Sequence, residues 1–265
     1  MNRRMMGRHR NIEVMPAPPR FLVWPIAAAL ALSAVACGSR ADDREDARTR
    51  ARPTTAAPPQ PASIAAAPSA DGRPRVVVLG DSLTAGLGLP IAAAYPSLLQ
   101  QRLKADGLDL EVVNAGVSGD TSAGGLARLD WALQGDVRVL IVALGGNDAL
   151  RGLPAAQLQR NLSEIIERAQ ARRIAVILAG MEAPPNYGRD YIVAFHKVYP
   201  ALAKQYHIAF VPFLLQGVAG TEGLNQRDGI HPTAEGARIV ADNVWAVLKP
   251  IAEAEASSPR GRPGS

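Results

Sequence analysis

The sequence predicts a three-layer α/β/α domain built around a parallel sheet of five strands. Short runs of β-branched and aliphatic residues lack polar alternation, which is typical of strands covered on both faces. These runs alternate with helical stretches long enough to connect parallel strands. A chain of 265 residues, 48% of them hydrophobic, can form one such domain with a substantial core.

The predicted strands and helices occupy the second part of the chain. The first strand reads RVVVL at 75–79, and the pattern predicts four more, at 110–113, 137–144, 174–179 and 208–211. A helical stretch follows each of them, and these stretches lie at 92–105, 122–133, 155–172, 190–205 and 233–248. The result is a flavodoxin-like domain over 75–250, followed by a disordered tail at 251–265.

Residues 1–37 predict an export leader. Several arginines precede an apolar run at 21–36 that ends at Cys37, and a positive flank, a short apolar core and small residues are typical of an export signal. A permanent transmembrane anchor is the weaker interpretation, because the run has only 16 residues and Pro25 interrupts it. Residues 38–74 are rich in Ala, Pro, Arg and Asp and predict a disordered linker.

Two kinds of processing compete at Cys37. Ala34, Val35 and Ala36 fit the A-x-A site of ordinary signal peptidase, which would release a soluble protein. Cys37 after small residues instead resembles the lipobox of bacterial lipoproteins, although Ala34 stands where that pattern usually has a larger aliphatic residue. We favour lipidation of Cys37 and a periplasmic, membrane-anchored location, because a lone cysteine at this boundary has no other evident use. A chance cysteine in a discarded leader is the alternative.

The basic charge of the chain lies in its first part. Residues 1–75 carry 12 arginines and 6 acidic residues, whereas 76–265 carry 17 basic and 18 acidic residues. The predicted domain therefore offers no electrostatic footprint for a phosphate backbone, and we expect no nucleic-acid partner. The sequence has no Cys and His cluster at metal-ligand spacing and no G-x-G-x-x-G after the first strand, so we expect neither a metal nor an organic cofactor.

Four short blocks follow the predicted strands. They are GDSL at 80–83, Gly119, Asn147, and DGIHP at 228–232. Alone, each block has an ordinary structural explanation, since Asp and Ser often cap helices and Gly and Asn are common in turns. Because the carboxyl ends of parallel strands meet at one edge of a sheet, we expect the four blocks to converge there.

The residue types in these blocks suit serine-based acyl transfer. The hydroxyl of Ser82 is a candidate nucleophile, and His231, with an ordinary pKa near ~6.5, can take up and return its proton. Asp228 can reach the imidazole Nδ1 and fix its tautomer. Gly119 can turn a backbone N–H towards the crevice, and Asn147 offers a neutral amide donor, so both suit the binding of an oxyanion.

Long phrases in the chain resemble the GDSL or SGNH hydrolases, a family named for its Ser, Gly, Asn and His blocks. The stretch 75–250 is similar to the bacterial arylesterase and acyl-CoA thioesterase I type, which comprises multifunctional esterases, thioesterases and lysophospholipases. The matching phrases are LGDSLTA at 79–85, SGDTS at 118–122, GGLARL at 124–129, LGGNDALRG at 144–152, PNYG at 185–188 and DGIHP at 228–232.

The resemblance implies the SGNH hydrolase variant of the flavodoxin-like fold and a role for each block. Ser82 would be the nucleophile, His231 the general base and then the acid, and Asp228 the residue that orients the imidazole. The backbone N–H groups of Ser82 and Gly119 and the side chain of Asn147 would form the oxyanion hole.

The resemblance also places an acyl groove between two loops, at 149–153 and 181–187. Leu150, Leu153, Ala183 and Pro184 would line it. Glu182 and Ala183 stand where relatives often have a basic and then a bulky apolar residue. We therefore do not transfer a chain-length preference to this protein.

We expect a monomeric hydrolase of small or fatty acyl esters and thioesters whose partner is its small-molecule substrate. One alternative is a carbohydrate or peptidoglycan O-acetyl esterase of the same superfamily, which an exported location would permit. A second alternative, from another class, is a non-catalytic surface binding module on the same scaffold.

Overall fold

The computed structural model describes residues 72–258. The predicted leader, Cys37 and the linker up to residue 71 lie outside the described residues, as does the end of the predicted tail from residue 259. Within 72–258, no helix combines the length and the apolar character needed to cross a membrane.

Five parallel strands form one sheet, as the sequence predicts. Their order across the sheet is β2-β1-β3-β4-β5, so β1 and β3 occupy its centre. Every residue of these two strands is buried, which explains why their sequences lack polar alternation. The strands are β1 (Arg75–Gly80), β2 (Glu111–Gly116), β3 (Val137–Ala143), β4 (Ala175–Ala179) and β5 (Ala209–Val211).

The helices form two groups around the sheet. Helix α2 packs against α8, while α6 packs against both α3 and α7, and the core lies between these groups and the strands. The helices are α1 (Ser82–Ala85), α2 (Tyr95–Ala105), α3 (Ser122–Ala127), α4 (Leu129–Ala132), α5 (Gly146–Leu150), α6 (Ala155–Ala171), α7 (Arg189–Tyr206) and α8 (Ala234–Ser257), with 3₁₀ turns at Ile91–Ala93 and Pro185–Tyr187.

Two helix boundaries differ from the sequence prediction. The single helix predicted at 122–133 is divided into α3 and α4, because Arg128 leaves helical geometry with a ψ of 9°. The disordered tail predicted from residue 251 is wrong over residues 251–257, which continue α8 beyond Pro250. Ala252 is fully buried and Ile251 packs against the core, so apolar burial stabilises this last part of the helix.

The carboxyl ends of the three central strands lie side by side. Gly80, the last residue of β1, pairs with Gly116 of β2 on one side and Ala143 of β3 on the other. A side chain at Gly80 would overlap the side chain of Thr84, so the tight connection from β1 into α1 requires glycine. The first three predicted blocks leave the sheet within a few residues of this common edge.

Candidate active site

Ser82 lies at the start of α1, directly after β1. Asp81 caps this short helix, and its carboxylate accepts the backbone N–H of Leu83 at 3.0 Å. The Oγ of Ser82 lies 2.8 Å from the Nε2 of His231, which is 149 residues further along the chain. The fold therefore brings together the hydroxyl and the imidazole of the predicted pair.

His231 lies in the loop before α8, and Asp228 holds its other ring nitrogen. The Nδ1 of His231 is 2.6 Å from the Oδ2 of Asp228. The second oxygen of Asp228 accepts the backbone N–H groups of Ile230 and His231, at 2.9 and 3.0 Å. The hydrogen bond from the Ile230 N–H, followed by that from the imidazole, lowers the pKa of Asp228 to about 2.

Asn147 lies in the first turn of α5, directly after β3. Its amide nitrogen donates to the backbone carbonyl of Asp120 at 3.0 Å and to the Oδ2 of Asp81 at 3.2 Å. A carboxamide carries two N–H donors, so each has an acceptor within the protein. These bonds connect the loops that follow β1, β2 and β3.

Gly119 lies in the loop between β2 and α3. Its φ of 84° belongs to the left-handed region, where a residue with a Cβ is strained. Its carbonyl accepts a hydrogen bond from the Nη2 of Arg151 at 2.7 Å. Gly119 is not among the residues that line the cavity described next, and it is connected to Asn147 through the carbonyl of its neighbour Asp120.

A cavity of about 360 Å³ opens beside these polar groups. Ser82, Asn147 and His231 line one part of it. The remaining lining is mainly apolar and includes Leu150, Met181, Ala183, Pro184, Phe213 and Ile230. An apolar cavity that ends at a nucleophile suits a substrate with an acyl chain.

Three of the four residues predicted to bind substrate lie in this cavity, and one does not. Leu150, Ala183 and Pro184 belong to its lining, whereas Leu153 lies outside it. The backbone N–H of Leu153 donates to the carbonyl of Asp148, and its own carbonyl accepts the hydroxyl of Tyr191 at 2.8 Å. The second of these bonds joins the segment after α5 to α7.

Known proteins match the chain over this domain. A family model described as GDSL-like Lipase/Acylhydrolase family matches residues 78–239. The chain belongs to this family. Esterase TesA of Pseudomonas aeruginosa is 50% identical over 177 residues, which cover 66% of this chain and 88% of that protein. Thioesterase 1/protease 1/lysophospholipase L1 of Escherichia coli K12 is 39% identical over 177 residues, 66% of this chain and 84% of that protein.

A solved structure agrees with the sequence comparisons. The crystal structure of TesA superposes with a TM-score of 0.64 and 49% identity, and it covers 67% of this chain and 99% of the solved chain. The fold of this GDSL-family chain is thus similar to that of TesA.

Several residues of the site were not predicted from the sequence. Phe213 and Leu215 follow β5 and line the cavity, and their apolar run after a predicted strand was an available signal. Ile230 is 43% exposed in the loop that carries His231, and an isolated aliphatic residue beside a polar block was a second signal. Asp81 had only a helix-capping explanation, although it also accepts a hydrogen bond from Asn147.

Burial raises the pKa of Asp81 to about 6, because desolvation outweighs the hydrogen bond from Leu83 and the charge of His231. The folded protein therefore binds this proton more tightly than the unfolded chain. Its contribution to stability is fully present below about pH 4 and is lost as the pH rises through about 6.

Asp81→Asn should remove this pH dependence. The free energy of unfolding of the wild type, relative to that of Asp81→Asn, should fall by about 2 kcal/mol between pH 4 and pH 7, since one pKa unit corresponds to about 1.4 kcal/mol and the unfolded carboxyl is already partly ionised at pH 4. Urea titrations of both proteins at each pH measure the difference, in which the groups that do not interact with Asp81 cancel. A difference that stays constant with pH would contradict the raised pKa.

Proposed function

We propose that this GDSL-family chain hydrolyses acyl esters and thioesters through an acyl-enzyme formed on Ser82. The observation that carries the proposal is the continuous line of hydrogen bonds from Asp228 through His231 to Ser82. This line ends in an apolar cavity of about 360 Å³. The named relatives, an esterase and a thioesterase with lysophospholipase in its name, support the same reaction class.

The geometry supports a two-step reaction. Nε2 of His231 takes the proton of Ser82 as Oγ attacks the carbonyl carbon, and the same proton then passes to the leaving alcohol or thiol as its bond to the acyl carbon breaks. Water, deprotonated by His231, attacks the acyl-enzyme and releases the acid and the free serine. Asp228 stabilises the imidazolium that forms in each step, and the negative charge of Asp81, when ionised, acts in the same direction.

The tetrahedral intermediate of each step carries a negative oxygen. The amide of Asn147 lines the cavity beside Ser82 and is the side-chain donor for that oxygen. The backbone N–H groups of Ser82, at the start of α1, and of Gly119 are the proposed main-chain donors. This assignment rests on the family resemblance of these positions and on the placement of Asn147.

A chain-length profile tests the proposed function. The purified protein is assayed on p-nitrophenyl acetate, butyrate and octanoate, on an acyl-CoA of equal length, and on an acetylated sugar. We expect turnover of the acyl esters and acyl-CoA, because the cavity lining is largely apolar beyond Ser82. Faster turnover of the acetylated sugar would favour the O-acetyl esterase of the same superfamily.

Labelling separates an enzyme from a binding module. A fluorophosphonate probe should modify Ser82 in the wild type, and Ser82→Ala should remain unlabelled. Binding of an acyl ligand by a wild type that no fluorophosphonate labels would favour the non-catalytic module.

We also propose that the protein is exported and lipid-anchored through Cys37. The support is the sequence alone: the arginines, the apolar run at 21–36 and the lone cysteine after small residues. Mass spectrometry of the mature N-terminus decides the question. An acylated N-terminal Cys37 supports the proposal, whereas an unmodified N-terminus at this residue indicates ordinary signal-peptidase cleavage.

A further inference from the structure

Arg128 makes three hydrogen bonds beneath the candidate active site. It lies between α3 and α4, and its side chain is only 17% exposed. Its Nε donates to the carboxylate of Asp120 at 2.6 Å, its Nη1 to the carbonyl of Ala115 at 2.7 Å, and its Nη2 to the carbonyl of Gly80 at 2.8 Å. One guanidinium thus binds groups from three different places in the chain.

Each of these partners belongs to a segment that carries a proposed oxyanion donor. Gly80 ends β1, two residues before Ser82. Asp120 follows Gly119, and its carbonyl accepts the side-chain amide of Asn147 at 3.0 Å. Ala115 lies near the end of β2, where the same loop begins. Arg128 therefore contacts, directly or through one hydrogen bond, every segment that would form the oxyanion hole.

The loop after β2 has a second attachment to the same point. The backbone N–H of Val117 donates to the carbonyl of Gly80, and the N–H of Asp120 donates to the carbonyl of Val117, both at 3.1 Å. The carbonyl of Gly80 thus accepts from both Val117 and Arg128. Loss of Arg128 would leave the backbone bonds in place but free the side chain of Asp120.

Among the basic side chains, arginine alone has the donor geometry for this arrangement. Its planar guanidinium directs several N–H groups at fixed angles, whereas lysine has a single ammonium on a flexible stem. A largely buried ion pair is weak evidence for a gain in stability, because desolvation opposes the attraction. A role of Arg128 in fixing the relative positions of Gly80, Ala115 and Asp120 accounts for all three contacts.

We propose that Arg128 is a positioning residue that holds the segments of Ser82, Gly119 and Asn147 in the geometry that binds the oxyanion. This inference rests on the proposed function. Arg128 does not line the cavity, so it acts through Asp120 and the strand ends rather than on the substrate. Small displacements of donors are costly, since a misplacement of about 1 Å can lower the rate about 10²-fold.

Arg128→Lys tests the proposal, and Arg75→Lys is its matched control. Arg75 is also buried, pairs with Glu111 at 3.0 Å and begins β1 at the end opposite Gly80. On a p-nitrophenyl ester, we expect kcat of Arg128→Lys to fall about 10-fold or more, with little change in KM, because ground-state binding in the cavity is preserved. We expect Arg75→Lys to lower the free energy of unfolding while its kcat stays close to that of the wild type. Equal kcat in the two variants would overturn the proposal.

Asp120→Asn provides a second test if Arg128→Lys folds poorly. It keeps the backbone carbonyl that accepts from Asn147 but weakens the charged bond to Arg128. We expect a smaller decrease of kcat in the same direction, again with little change in KM. A change in KM alone would contradict a role in the transition state.

A double-mutant cycle with Asn147→Ala distinguishes positioning from a general loss of structure. Asn147→Ala alone should lower kcat about 10²- to 10³-fold. If Arg128 acts partly through this amide, the decrease caused by Arg128→Lys should shrink from about 10-fold to about 3-fold or less in the Asn147→Ala background. Decreases that multiply in full would overturn the proposed route through Asn147.

The outcome for Ser82→Ala separates the two proposals. If Ser82→Ala is as active as the wild type, the proposed function itself fails. If Ser82→Ala is inactive and Arg128→Lys retains the kcat of its control, only the role of Arg128 fails.

Discussion

Replacing His231 by alanine should lower kcat on a p-nitrophenyl ester by about 10⁶-fold, and Ser82→Ala should cost about as much. The two atoms, Oγ of Ser82 and Nε2 of His231, are 2.8 Å apart, so they act as one unit. The double variant should therefore be no slower than either single variant. Steady-state assays give kcat of the two single variants and of the double variant. Each assay contains enough protein for the residual rate to exceed that of the uncatalysed reaction.

His196→Ala is the matched control for His231. Its Nδ1 also contacts a carboxylate, the Oε1 of Glu182 at 2.7 Å, but His196 lies on α7 and has no hydrogen bond to a serine of the described residues 72–258. We expect its kcat on an uncharged ester to stay within about threefold of the wild type, as for a surface substitution. Comparable losses in His196→Ala and His231→Ala would mean that the assay does not report on the proposed serine chemistry.

Asp228→Asn should lower kcat by about 10⁴-fold while leaving the fold intact. The carboxylate accepts the Nδ1 proton of His231 at 2.6 Å, which leaves Nε2 free to accept the proton of Ser82. An amide can present its N–H to the ring instead, which favours the wrong tautomer. Circular dichroism and kinetics on the same preparation separate this effect from unfolding.

The pH dependence gives Asp228 an independent check. Because its pKa is lowered to about 2, the carboxylate remains ionised throughout the range in which histidine titrates. The acid limb of kcat/KM in the wild type should therefore contain no step from Asp228.

Asp242→Asn is the control for Asp228→Asn, because it also removes one negative charge, at an exposed position that pairs with Arg102. A loss of under tenfold in Asp228→Asn would contradict its orienting role.

The sheet could be predicted from the sequence because its central strands are buried on both faces. The run RVVVL at 75–79 differs in only one terminal residue from the observed β1, Arg75–Gly80. The short helices α1 and α5 could not be predicted, since each has at most five residues and too few side chains to show a period. The division of the predicted helix at Arg128 could not be predicted either, because the side chain of Arg128 bonds to groups distant in sequence.

The site shows a similar division between local and distant information. Ser82, Asn147 and His231 lie in short blocks whose residue types indicate their chemistry, and the structure places all three on one cavity. Arg128 binds two backbone carbonyls, which every residue possesses, so no pattern of residue types could reveal those partners. The position of Leu153 outside the cavity could not be predicted for the same reason, because its backbone N–H donates to a backbone carbonyl, that of Asp148.

The two occupied N–H groups of Asn147 have a consequence for selectivity between states of the reaction. Before substrate binds, the amide of Asn147 already donates to the carbonyl of Asp120 and to the carboxylate of Asp81. The carbonyl oxygen of the substrate must therefore compete with these acceptors. A neutral ester carbonyl is a poorer acceptor than the ionised carboxylate of Asp81, whereas an oxygen that has gained a full negative charge competes with it on equal terms. The hydrogen bond from Asn147 would thus stabilise the transition state more than the bound substrate. Such a bond raises kcat rather than the affinity for the substrate.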